Sequence, residues 1–295
     1  MKLEIGTAPD SWGVWFPSDE QQIDWPRYLD EAAAAGYRWT ELGPFGYMPT
    51  DGPTLEAELR RRGLRVCGQT VMLPLEEPAM RGELERQVLA VGDLLRHLGA
   101  RHLILIDDMY TDLHSGAHEQ PPELDGDAWR RLIDATHYAA RLARDQLGLT
   151  LAFHPHAETH VGSEAQIKRF LTDTDPDLVR LCFDTGHHAY CGGDAVAFMR
   201  EHHQRVDYLH VKSIDPDVLD RSRREALPFP KAVARDMMCG LERGAVDFRA
   251  FVGVLREVGF EGFVVVEQDM YPAPPDKPLP IAKANRDYLR RLGWG

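Results

Sequence analysis

Short runs of β-favouring apolar residues alternate along the whole chain with longer stretches whose apolar positions recur every three or four residues. The runs are Leu3–Thr7, Arg38–Leu42, Arg65–Thr70, His102–Asp107, Thr150–His154, Val179–Asp184, Val206–Val211 and Gly262–Glu267. Between them Leu84, Val88, Val91, Leu95 and Leu98 fall on one helical face, and Gly99 follows as a stop. Trp129, Leu132, Ile133, Ala140 and Leu147 repeat the pattern before Gly148, and a first helix over Asp24–Ala35 ends at Gly36. Glycine at these places supplies the left-handed residue that closes a helix and opens the loop into a strand.

Eight such runs alternating with helices require a mostly parallel sheet, because parallel neighbours need a crossover element between them. Two stretches break the rhythm, Met109–Asp125 and Asp215–Arg243. Each follows the C-terminal end of a run, where barrel enzymes carry their active-site loops. Pro272–Pro280 holds five prolines and reads as an extended loop before a last helix. No Pro/Gly/Ser-rich linker divides the 295 residues, so 1–295 reads as a single domain of a length that suits an α/β barrel. The longest apolar runs, Leu103–Ile106 and Phe263–Val266, fall far short of the ~20 residues of a spanning helix. The N-terminal MKLEIGTAPDSW turns polar too soon for a signal peptide, which predicts a cytoplasmic protein.

The polar residues at the ends of the runs decide between an open sheet and a closed one. Glu41 ends the second run. His154, His156, Glu158 and His160 follow the fifth, and Asp184, His187 and His188 the sixth. His210 and Lys212 close the seventh, Glu267 and Asp269 the eighth. In a flat sheet these ends would spread over several strand spacings of ~4.8 Å, whereas a barrel bends them toward one centre. The open sheet's nucleotide motifs, G-x-G-x-x-G and G-x-x-x-x-G-K-[ST], are absent. The expected fold class is therefore α/β, a (β/α)8 TIM barrel with its active site at the C-terminal mouth. Residues two apart on a strand share a face, which aims His154/His156, His210/Lys212 and Glu267/Asp269 in pairs.

Imidazoles and carboxylates meeting at one mouth suit a divalent transition metal. His154, Asp184, His210 and Glu267 would offer two nitrogens and two carboxylates. Calcium prefers an all-oxygen shell, and thiolate zinc sites need cysteines that these ends lack. Cys67, Cys182, Cys191 and Cys239 form no C-x-x-C pair and read as ordinary reduced thiols. Each site residue also has a plainer reading. Asp184 before Thr185–Gly186 could simply cap a helix, and Lys212 could be a solvated lysine at a strand end. His156–His160 spells H-A-E-T-H rather than the zinc-protease H-E-x-x-H. His114 and His118 read as solvated, and His202–His203 as complements to a helix C-terminus. Trp12–Phe16 and Phe45–Tyr47 are expected to line the pocket wall, Trp15 foremost, the plainer reading being that Trp12 and Trp15 plug the barrel end. Lys+Arg number 34 against 47 Asp+Glu, a net charge of −13 that disfavours a nucleic-acid backbone and admits a small neutral substrate or a cation.

The segments APDSWGVW, TELGPFGYMPTD, FHPHAETHV, LCFDTGHHAYCGGD, YLHVKSID and GAVDF…GFEGFVVVEQD, in this order, resemble the inosose dehydratase branch of the xylose isomerase-like TIM-barrel superfamily, which includes sugar phosphate isomerases and epimerases. The resemblance covers nearly the whole chain. It implies one divalent metal held by Asp184, His210, Glu267 and a histidine of the His154–His156 pair, since related epimerases carry Glu-Pro where His154–Pro155 stands. It also implies that Glu41, Glu158, His187 and Lys212 face substrate. Manganese or cobalt is expected first, with zinc and iron as alternatives. The expected catalytic residues are Lys212, Glu267 and His187, and the expected substrate contacts are Glu41, Trp15, His156 and Glu158.

Such a site can polarise a ketone and its neighbouring hydroxyl, so that loss of the adjacent proton gives an enediolate beside Lys212. Expelling a β-hydroxyl is then dehydration; returning the proton to the neighbouring carbon or to the other face is isomerisation or epimerisation. The favoured reading is a metal-dependent lyase acting on a keto-inositol in inositol catabolism. A sugar isomerase or epimerase, and a sugar-binding barrel without chemistry, stand as alternatives, while −13 speaks against a metal-dependent nuclease. The expected partner is a small polyol or keto-sugar, with no nucleic acid and no membrane, and a homo-oligomer is left open.

Overall fold

The computed structural model describes residues 2–294; Met1 and Gly295, the ends of the expected 1–295 domain, lie outside the described residues. Eight parallel strands close into a barrel: β1 (Leu3–Thr7), β2 (Trp39–Glu41), β3 (Arg65–Leu73), β4 (His102–Asp107), β5 (Thr150–Phe153), β6 (Val179–Asp184), β7 (Val206–Val211) and β8 (Gly262–Val266). Each pairs with its neighbours in sequence, and β8 closes the circle on β1 in the register Leu3↔Gly262 to Thr7↔Val266. The alternating pattern thus gives the barrel it implied. Gly36, Gly99 and Gly148 sit at φ +88°, +72° and +66°, the left-handed stops that the spacing required.

The strand ends differ from the pattern where the chemistry lies. β3 runs on to Leu73, its last residues paired with Leu105, Ile106 and Asp107 of β4. β5 stops at Phe153, because Pro155 has no N–H to continue the ladder, although the His154 N–H still reaches Leu105 O at 2.8 Å. β8 stops at Val266, and His154 and Glu267 are therefore the first residues beyond their strands.

Two expected loops hold more structure than their polarity suggested. Within Asp215–Arg243 lie the helices Pro216–Arg224 and Phe229–Val233, and Met238–Cys239 pairs antiparallel with Ser213–Ile214. The first helix is almost wholly polar, but Asp215 accepts from the N–H groups of Asp217 and Val218, and Pro216 starts its first turn. The last helix, Pro278–Arg291, begins inside the proline-rich stretch, which is extended only as far as Lys277. Proline suits a first helical turn, where its missing N–H has no partner to lose.

Inside the barrel, Ile104, Ala152, Cys182 and Val265 fill the middle. Below them an aromatic floor closes the N-terminal end, with Trp39 edge-on to Phe263 at 4.9 Å and His102 against Tyr208 at 5.1 Å. Trp12 and Trp15 are not the plug. Leu29, Val88, Leu132, Phe170, Phe198, Phe251 and Leu289 pack the helices onto the barrel's outer face, each contributing roughly 1.5–3 kcal/mol through burial. The four cysteines are free. Among the described residues, no helix is long and apolar enough to cross a membrane.

Candidate active site

With its lower end sealed by aromatics, the barrel leaves polar side chains room only at the C-terminal mouth, and there they converge. His154, Asp184, His210 and Glu267 are all buried and offer ligand atoms within 4.8 Å of one another. Four different strands deliver them, and outer contacts aim each one. Asp184 Oδ1 accepts from Gly186 N at 2.7 Å and His187 N at 2.8 Å, capping the short helix Thr185–Tyr190, while Oδ2 makes no hydrogen bond. The capping reading of Asp184 therefore holds for Oδ1, and Oδ2 is left facing the cluster. Gly186 is required here, since a Cβ on it would lie 2.3 Å from Lys212 Cβ.

The two histidines are oriented in the same way. His154 donates from Nδ1 to Pro155 O at 2.8 Å, which leaves Nε2 with its lone pair 3.6 Å from Asp184 Oδ2. His210 donates from Nε2 to Glu41 Oε1 at 2.7 Å, which leaves Nδ1 turned inward, 2.8 Å from Glu267 Oε2 but out of line for a hydrogen bond. A ring nitrogen held by an outer acceptor while its partner faces the centre is the arrangement that metal-binding imidazoles adopt. Burial pushes His154 well below the usual imidazole range, with His210 and Lys212 adding to the effect. Burial acts on His210 in the same direction, but Cys182, Glu267 and Glu41 reverse it and raise that ring.

Lys212 completes the cluster. Its Nζ lies 3.2 Å from Asp184 Oδ2, 2.9 Å from Glu267 Oε2 and 2.9 Å from Asp269 Oδ1, and it donates to His187 Nε2 at 2.8 Å. The side chain is buried, so the solvated reading falls. Burial works against its charge, but Asp184, Asp269, Glu267 and Asp10 together raise its pKa well above the ordinary lysine value.

Above this floor opens a cavity of about 510 Å³, within the range of small-molecule sites. Asp10, Glu41, His154, His156, His210, Lys212, Glu267 and Asp269 face it, and Trp15, Phe16, Phe45 and Phe229 supply apolar wall. Trp15 stacks on Tyr271 at 5.0 Å. Trp12 and Tyr47 belong to the core beneath, Trp12 donating to Glu31 and meeting Tyr28 edge-on.

The sequence profile of the xylose isomerase-like TIM barrel matches residues 29–292. The chain belongs to this family. It is 31% identical over 296 residues to an inosose dehydratase of Geobacillus kaustophilus, covering 98% of this chain and 94% of that one. It is 34% identical over 307 residues to the rhizopine catabolism protein MocC of Rhizobium meliloti, covering 99% and 89%. Among solved structures, a zinc-binding IolI protein superposes with a TM-score of 0.72 at 14% identity, over 99% of this chain and 98% of that one.

Within this xylose isomerase-like barrel the structure sorts the expected site residues. His154 joins Asp184, His210 and Glu267, whereas His156 groups with His187 and Asp269. His156 faces the cavity; its Nδ1 donates to Ala157 O at 2.7 Å, and burial, reinforced by Lys212, lowers the ring to about 4. His187, expected near the reacting oxygens, is not on the cavity wall and instead accepts from Lys212 behind His156, the two rings 3.7 Å apart. Glu41 lines the cavity but spends one oxygen on His210. Glu158 is likewise off the cavity wall. At φ +55° its Oε1 accepts from Tyr190 OH and Phe229 N, tying loops together behind the site. His114 and His118 are exposed, as read, although His114 stacks on Phe16 at 4.8 Å.

Asp10 and Phe229 escaped the sequence reading. Asp10 lies beyond β1 in the 3-10 turn Pro9–Trp12, 3.8 Å from Lys212 Nζ, and was a strand-end carboxylate like the others. Phe229 arrives from a helix inside Asp215–Arg243, a stretch expected at the mouth but read as a loop.

Proposed function

We propose that the protein is a divalent-metal-dependent lyase that dehydrates an inosose, a cyclic keto-polyol. The observation that carries the reading is the convergence of His154, Asp184, His210 and Glu267 on one point of the cavity floor, with a buried Lys212 beside them. The donor set fits a transition metal: two imidazole nitrogens and two carboxylates, with an inward Asp184 Oδ2 and His210 Nδ1 that make no hydrogen bond among the described residues, although Lys212 Nζ lies 3.2 Å from that oxygen. The full-length similarity to an inosose dehydratase supports the substrate class. The IolI protein's zinc supports a divalent ion, with manganese, cobalt or iron equally compatible with the same donors.

When bound, the ion supplies Lewis-acid polarisation of the substrate's ketone and adjacent hydroxyl. The chain's own residues do the rest. Trp15, Phe45 and Phe229 hold the ring's less polar face and exclude water. Glu267, held ionised between Lys212 and His210, takes the proton next to the carbonyl. Lys212 offers its ammonium to the charge that develops on the enediolate. The β-hydroxyl leaves as water once an acid on the cavity wall protonates it. His187 and Glu158 are not on that wall, and Asp10 is, so we assign this proton to Asp10.

A panel of inososes and ketohexoses, offered to manganese-loaded protein with product analysis by mass spectrometry, tests the reading. Loss of one water from an inosose supports it. A product of unchanged mass makes the protein an isomerase or epimerase on the same scaffold, and no turnover with tight sugar binding makes it a binding barrel.

A further inference from the structure

A second group of ligating side chains lies outside the cavity, buried between the end of β4 and the loops that follow β3 and β5. Glu76, Asp107 and His160 offer ligand atoms within 4.8 Å of one another. All three are at most 3% exposed. Both carboxylate oxygens of Glu76 are buried and have no hydrogen-bond partner among the described residues. No lysine or arginine among them pairs with Glu76 or Asp107. The nearby Arg131 donates instead to the backbone carbonyl of Glu76, at 2.7 Å. His160 pairs with Asp107, so Glu76 is the buried carboxyl left without a cation, whereas the active-site carboxylates share Lys212.

The histidine shares with His210 one ring nitrogen held by an outer acceptor. His160 Nε2 lies 3.3 Å from Pro121 O, a carbonyl that can only accept, and Nδ1 faces Asp107 Oδ2 at 2.8 Å. In His210 the outer acceptor is Glu41 and the inward Nδ1 makes no hydrogen bond, whereas His160 Nδ1 is hydrogen-bonded to Asp107. Asp107 is itself fixed by Leu75 N and His160 N, so its oxygens cannot turn away.

We propose that Glu76, Asp107 and His160 form a second site for a divalent transition metal, a mixed imidazole and carboxylate set that zinc accepts and that leaves further positions to water. Two carboxylates neutralise such an ion, and ligand distances of about 2 Å need only small inward shifts of the three side chains. The ion would pin the loops after β3 and β5 to the end of β4. Asp108 and Met109, which follow Asp107, lie on the cavity wall, so the pin would hold one side of the active site in place.

The test counts zinc. Full-length protein is stripped with chelator, equilibrated with zinc, freed of loose ions and analysed for metal per chain. Wild type is expected to hold two ions and Asp184→Ala one, with none in the Asp184→Ala, Glu76→Gln double variant; circular dichroism checks the fold of each. If Asp184→Ala folds and holds no zinc, the second site does not exist. If the double variant keeps the ion, it sits elsewhere and the proposal is overturned. If wild type holds a single ion that Glu76→Gln removes and Asp184→Ala does not, the second site stands while the active-site metal assignment fails.

Discussion

Replacing Lys212 by Met keeps the length of the side chain and removes its charge, leaving Asp184, Glu267, Asp269 and the nearby Asp10 without their common cation. An ion pair at 2.9 Å, the separation from Glu267, is worth about 6 kcal/mol at an effective dielectric near 20. Removing one partner of such a buried pair costs about 3–5 kcal/mol once solvation and rearrangement are counted. The contacts therefore predict a loss of stability in the metal-free protein. At about 2–4 °C per kcal/mol for a domain of this size, metal-free Lys212→Met should melt roughly 10 °C below metal-free wild type. Manganese should recover most of that loss, because the ion brings positive charge back to the same carboxylates. Catalysis should not recover. Loss of one charge-stabilising donor costs about 3 kcal/mol of barrier, a hundredfold in kcat. Calorimetry with and without metal, beside initial rates on inosose, reads both effects. Turnover within threefold of wild type, about 0.65 kcal/mol, together with an unchanged metal-free Tm would refute the placement of Lys212 as the site's cation.

Other predictions address single links in the account. Glu41→Gln frees Nε2 of His210 from its anionic acceptor and should weaken metal affinity by about 10–100-fold in a calorimetric titration; unchanged affinity would make Glu41 a substrate contact only. Asp10→Asn should cut dehydration sharply while exchange of the α-hydrogen with deuterated water continues, since the proton donor is lost and Glu267 remains; equal loss of both by NMR would place Asp10 in the first step. His102, buried below the barrel against Tyr208, is lowered to about 4 by burial. It is neutral in the folded protein and protonated in the unfolded chain between that value and about 6.5. Its contribution is therefore complete above about pH 6.5 and lost as pH falls toward 4, at most about 3 kcal/mol. His102→Gln should flatten the fall in denaturant stability across that window, and an unchanged slope would show that His102 is not the titrating group.

The barrel was legible in the sequence because its signals are local. The eight runs, the helical apolar faces and the glycines at 36, 99 and 148 each follow from neighbouring residues. The metal-type cluster was legible for a related reason, in that a closed sheet brings strand ends to one point whatever the loops do. Side-chain direction beyond the strands was not. Lys212 could be read as solvated or central until its four partners were seen, and His187 and Glu158 were assigned to substrate although the turns after β6 and β5 point them at Lys212 and Phe229. The choice between His154 and His156 rested on where β5 ends, which Pro155 sets but alternation does not reveal. Asp10 and Phe229 come from a 3-10 turn and a mostly polar insertion, segments with no periodicity to follow.

The account rests on a metal-dependent dehydration. Its most direct test is the mass and NMR spectrum of the product from one inosose, taken with chelator-stripped protein before and after manganese is restored. The expected result is no product before, and afterwards a single product lighter by one water and carrying solvent deuterium at the carbon beside the carbonyl. Full dehydration by the stripped protein, or a product of unchanged mass after metal is restored, would contradict it.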